Sequence, residues 1–145
     1  AVLFMREMAQ MTKVTDITLS KRIAEARVPE GWQVFKINGP LFFAAADRIF
    51  GELALMARNA RGFVLYMDGV TILDAGGLSA LNKLIATCER DGTQIVIADL
   101  QFQPLRALSR AGVMPVPGVS RYTSSLDEAL RLIAEPGAEP GQPAG

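Results

Sequence analysis

With 145 residues, half of them hydrophobic, the chain has the size and apolar content of one folded domain with a full core. Fifteen basic residues balance fifteen acidic ones, so no overall charge points to nucleic acid or a membrane surface, and any electrostatic partner must meet a local patch. A single cysteine and no histidine exclude an internal disulfide, a zinc site built on several Cys or His ligands, and Ser-His-Asp or Cys-His catalysis.

The first residues, Ala1 to about Lys13, place Phe4, Met8 and Met11 at spacings of four and three, with Arg6, Glu7 and Gln10 on the other side. This is the pattern of a short amphipathic helix, either packed on its own domain or continuing a stalk from upstream. The same polar residues rule out a signal peptide, and no apolar run reaches the roughly 18 residues a membrane span needs. The chain does not start with methionine, which suggests a piece of something longer.

Val14 to Leu19 alternates and is β-branched, a candidate edge strand. Residues 20–31 are charged and end in Pro29-Glu30-Gly31, which predicts an exposed loop. Trp32 to Ile37 is the next strand, stopped by Asn38-Gly39-Pro40. Leu41-Phe42-Phe43 resumes briefly, and a helix follows from Ala44 with Ile49, Phe50, Leu53 and Ala57 on one face.

Phe63-Val64-Leu65-Tyr66-Met67-Asp68 is apolar throughout until the aspartate, as a strand covered on both faces would be. After a short loop, Asp74-Ala75-Gly76-Gly77 launches a helix on which Leu78, Leu81, Ile85 and Cys88 share a stripe. Cys88 on that stripe reads as a core thiol. Gln94 to Asp99 is another buried strand, and Pro104 suits the first position of a short helix ending before Gly112. A weak strand around Val119 to Thr123 precedes a final helix announced by the capping box Ser125–Glu128. The Pro- and Gly-rich residues 135–145 read as a disordered tail. Strands alternating with helices predict an α/β fold with a central, mostly parallel β-sheet flanked by helices and an antiparallel N-terminal pair.

Three features carry candidate chemistry. The helix start Asp74, Ala75, Gly76, Gly77, Leu78, Ser79 offers backbone N–H groups to an anion, but Asp74 is the natural cap of that helix and its carboxylate would compete with one. Asp68 and Asp74 have the form of a carboxylate pair but lack a partner group for acid–base work. Residues 100–126 contain Arg106, Arg110 and Arg121 and no acid, a candidate basic docking patch for an acidic protein or a nucleotide phosphate. No residue set suggests a catalytic centre, a metal site or a cofactor.

Three stretches together resemble one family. Gly39-Pro40-Leu41-Phe42-Phe43-Ala44-Ala45-Ala46-Asp47 resembles the first strand–helix junction of the STAS domain in SulP-type anion transporters, and Asp68 to Leu78 resembles the strand–loop–helix of STAS domains generally. Phe4-Met5-Arg6-Glu7-Met8 resembles the linker from a SulP membrane domain. The resemblance implies residues 1–13 as linker, 14–134 as a STAS domain, and a position on the cytoplasmic side of a membrane as part of a transporter of sulfate-, dicarboxylate- or bicarbonate-type anions. It further implies a regulatory and protein-interaction role without catalysis, the interaction loop at Asp74–Ser79, and the transmembrane domain of the same chain as partner. Antagonist-type STAS switches carry a phosphorylatable serine two residues after the loop aspartate. Here that position is Gly76, which has no hydroxyl. A freestanding antagonist-type switch and a nucleotide-binding module stand as the alternatives.

Overall fold

The computed structural model describes residues 11–134. Five strands form one sheet in sequence order: β1 (Lys13–Asp16), β2 (Trp32–Asn38), β3 (Gly62–Gly69), β4 (Gln94–Ala98) and β5 (Ser120–Thr123). β1 runs antiparallel to β2, and the remaining neighbours are parallel. Among the described residues five helices accompany them: α1 (Lys21–Glu25), α2 (Phe43–Met56), α3 (Ala75–Asp91), α4 (Phe102–Arg110) and α5 (Leu126–Ala134).

This topology dictates where the helices lie. Each crossover from β2 to β5 adds its strand on the same side, so crossovers of one hand put all connecting helices on one face of the sheet. Accordingly α2, α3 and α4 share one core layer with Phe35, Phe63, Leu65, Met67 and Ile97. The intervening strand residues Val34, Val64, Val96 and Ala98 point the other way, as a two-residue repeat requires, and are covered by Ile23 of α1 and Leu126, Leu130 and Ile133 of α5. Cys88 is buried in the first layer, and burial, followed by the nearby Asp91, pushes its thiol up to about 11.

Several local expectations shift. β1 stops at Asp16 because its carboxylate accepts from both the backbone N–H and the hydroxyl of Thr18, an Asx turn that takes the chain out of the sheet. Within the expected loop 20–31 the structure forms α1, whose Ile23 fills a gap on the second face. A lone apolar residue gives no periodicity, so nothing local announces it. The β1–β2 pair is antiparallel as expected, joined by the segment 17–31, and the Asn38–Pro40 turn leads out of β2. Pro104 stands at the third position of α4, where its missing N–H still costs no intrahelical bond. In α5 the Ser125 hydroxyl accepts from Glu128 N–H, whereas the Glu128 carboxylate reaches Ser124, one residue earlier than the box predicts. The linker reading of residues 1–13 falls outside the described residues except at its end, and the tail 135–145 lies wholly outside them.

Candidate functional site

All four parallel strands end at one edge of the sheet, and the loops and helix starts that follow gather there. In open α/β sheets, ligands bind outside the carboxyl ends of the strands, which makes this edge the first place to look for a site. β1 begins at the same edge, since Lys13 pairs with Asn38 at the end of β2. Thr12 is buried there, its hydroxyl donating to Pro40 O at 2.6 Å and its carbonyl accepting from Arg48.

The helix start at the centre of this edge is set by contacts with the α2 junction. Asp74 is the N-cap of α3, its Oδ1 accepting from Gly77 N–H at 2.7 Å. The carboxylate therefore occupies the position an anion would take, and the helix start is closed to that use. A Cβ at Gly77 would stand 2.1 Å from the Leu41 carbonyl oxygen, and one at Gly76 would stand 2.6 Å from the Cβ of Phe43. The paired glycines thus exist so that two strand–helix junctions can touch. The same contact bears on the missing serine: a side chain at position 76 would run into Phe43. Gly77 is buried, Asp74, Gly76 and Leu78 are half-buried, and Ala75 and Ser79 are exposed.

Ile72 to Asp74 behave as a short extra strand. Leu41 and Leu73 form an isolated parallel bridge, with Leu41 N–H donating to Ile72 O and Asp74 N–H to Leu41 O. On the opposite side no strand follows among the described residues. Gln103 of α4 fills that place: its Oε1 accepts from Leu73 N–H at 2.7 Å and its Nε2 donates to Leu73 O at 3.1 Å. Gln101 adds a bond from Nε2 to Asp68 O. Sequence reasoning missed both glutamines.

Between α3 and α4 lies an open groove of about 750 Å³, bordered by Asp74, Ala75, Leu78, Phe102, Arg106 and Arg110. Two candidates read separately from the sequence, the α3 start and the basic patch, thus meet in one surface. The Arg106 guanidinium lies 5.9 Å from the centre of the exposed Phe102 ring, a cation–π arrangement. Arg121 is not part of it. It sits on β5 opposite Val96, while its neighbour Tyr122 packs in the α2–α3–α4 layer, so strand alternation turns Arg121 toward the α5 side. Partial burial there lowers its pKa from the usual arginine value.

Three exposed apolar side chains lie along this edge. Phe43, Ile72 and Phe102 are 69%, 42% and 75% accessible, and Phe43 packs against Gly76 while Ile72 and Phe102 flank the Leu73–Gln103 pairing. Apolar surface rimmed by arginines marks a protein contact more readily than a solvated face.

Asp68 and Asp74 have separate structural duties. Asp68 accepts from Tyr66 OH at 2.9 Å and stands 3.7 Å from the Lys36 ammonium, which lies 5.2 Å from the Tyr66 ring centre. Burial, then Asp68, raises the Tyr66 hydroxyl pKa. Among the described residues no group of three or more acids or cysteines is placed to hold a metal ion, and no helix is long and apolar enough to cross a membrane.

Comparison with known proteins fits this geometry. The STAS domain family model matches residues 24–129. The crystal structure of a sulfate transporter family protein from Wolinella succinogenes is 32% identical, with a TM-score of 0.63, over 73% of this chain and 87% of that one. The murine Solute Carrier 26 family member A9 anion transporter is 28% identical, with a TM-score of 0.53, over 57% of this chain and 14% of that one. A curated relative, probable sulfate transporter 4.2 of Arabidopsis thaliana, is 25% identical over 125 residues, 77% of this chain. The chain spans only 18% of that relative's length. The chain belongs to the STAS domain family, in the form that SulP-type sulfate transporter proteins share.

Proposed function

We propose that the chain is the cytoplasmic regulatory and protein-interaction domain of a membrane anion transporter, of the sulfate, dicarboxylate or bicarbonate type, and performs no catalysis. One observation carries the reading: the α3 start, the basic face of α4 and the point where Thr12 joins the fold all lie at one edge of the sheet. Through that edge the domain meets the transmembrane part of the same chain, and the groove with Arg106 and Arg110 receives an acidic protein surface. The small fraction of each full-length transporter that the chain covers supports a domain serving a larger machine. The engaged carboxylates at Asp68 and Asp74 support a non-catalytic role.

An antagonist-type switch is disfavoured because Gly76 lacks a hydroxyl and its Cβ position faces Phe43. The test is Arg106→Glu with Arg110→Glu in the full-length transporter. Both side chains are exposed, so the fold should survive within about 0.5 kcal/mol, while anion uptake into vesicles should change at least threefold. Unchanged uptake, with unchanged capture of cytosolic partners, would remove the groove from the account. Binding of a nucleotide to the wild-type domain, lost in the double variant, would assign the groove to a small molecule instead.

A further inference from the structure

We infer that Gln103 is the positioning residue of this surface, a side-chain clamp that joins the loop before α3 to α4 so that the two present a single rigid face. The role as a docking face rests on the proposed function; the clamp itself rests on geometry alone.

The backbone of Ile72–Asp74 must satisfy its polar groups without a full strand on either side. Toward α2, Leu41 does this with two backbone hydrogen bonds. Toward α4, the terminal amide of Gln103 does it by presenting a carbonyl to Leu73 N–H and an N–H to Leu73 O. A primary amide is the side-chain group that copies a peptide edge, offering one acceptor and one donor side by side. Gln101, the N-cap of the same helix two residues earlier, fixes the other end of the loop at Asp68 O. Two long-range side-chain contacts from one helix start therefore hold the β3–α3 loop, and that helix also carries Phe102, Arg106 and Arg110 on its outer side. A partner that grips α4 is thereby coupled to the α3 start.

The clamp also predicts a chemical signature that ordinary packing would not give. In Gln103→Glu, the carboxylate can still accept from Leu73 N–H but has no proton for Leu73 O, and its second oxygen faces that carbonyl's lone pairs. Protonation restores a donor beside an acceptor. Arg106 in the same groove favours the charged form and Asp74 opposes it, while the direct contact with Leu73 O sets the balance. The proton is held more tightly when the loop is closed, so the clamp is present below the carboxyl pKa of about 4.3 and lost as pH rises through the value raised by closure.

The experiment is amide hydrogen exchange by NMR on the 145-residue chain, read as protection factors so that intrinsic rates cancel. In Gln103→Ala, protection at Leu73 and Asp74 should fall about five- to tenfold, as expected for loss of such bonds, with global stability lowered by no more than the roughly 1–1.4 kcal/mol that this fold-change represents, because alanine is a good helix former. In Gln103→Glu, protection should be low at pH 7 and return toward the wild-type value near pH 3.5, with no matching change in the wild type. Wild-type protection in the alanine variant, or a glutamate variant equally protected at pH 7, overturns the clamp. None of these readouts needs a partner, so failure of the clamp and failure of the docking role are separate results.

Discussion

Gly77→Val is expected to destabilise the domain by about 3 kcal/mol, the upper part of the usual overpacking range. A built Cβ at this position lies 2.1 Å from Leu41 O and 2.9 Å from Leu73 Cδ1. The first obstacle is backbone, and it cannot rotate aside. Relief would require moving Leu41 away from Ile72–Asp74 and so breaking the hydrogen bonds that shape the loop. Removing a glycine from a helix is worth at most about 1 kcal/mol in the other direction, so the clash decides the sign. Gly51 of α2 is the control: nothing lies within 4 Å of its Cβ position, and Gly51→Ala should add about 0.5–1 kcal/mol. Urea denaturation midpoints separate the two outcomes, provided the slope is unchanged.

Phe63→Ala should cost about 4 kcal/mol, the usual range for emptying a buried aromatic position. Phe63 is 1% exposed on β3, and its ring meets that of Phe35 on β2 at 5.8 Å and 70°, an edge-on pair. The side chain also helps fill the space between the sheet and the two helices α2 and α3, with Leu53, Leu84 and Cys88 beside it. Its loss leaves a void at the lower end of the layer, far along the strand from the α3 start. The same urea titration should report the full effect, and the Cys88 thiol should become more accessible to alkylation below the transition. A cost under about 1 kcal/mol would mean that the layer collapses around the gap, contrary to the packing described.

The alternation of strands and helices was legible because β3 and β4 are apolar on both faces and α2 and α3 carry clean stripes. Asp74 as a cap was legible too, since an aspartate before a small-residue helix start is a local signal. What escaped was non-local. Gln103 bonds a backbone thirty positions earlier, and no spacing rule links a surface glutamine to a loop in another element. The glycines were visible as small, yet their purpose depends on Leu41 and Phe43, which only the crossing of two junctions brings near. The separation of Arg121 from Arg106 and Arg110 could have been read by counting strand parity from Tyr122, but a cluster of like charges in sequence hid the alternation.

The most direct test of the docking edge is a pair of single-cysteine cross-linking experiments in the membrane transporter of which the chain is proposed to be a domain. Ala75→Cys places a thiol on the exposed start of α3, and Asn59→Cys places one on the exposed turn after α2, at the opposite end of the sheet. The native Cys88, buried and with its thiol pushed up to about 11, should stay silent. The position 75 thiol should cross-link to the transmembrane part of the chain, and the position 59 thiol should not; cross-linking from 59 in preference to 75 would contradict the account.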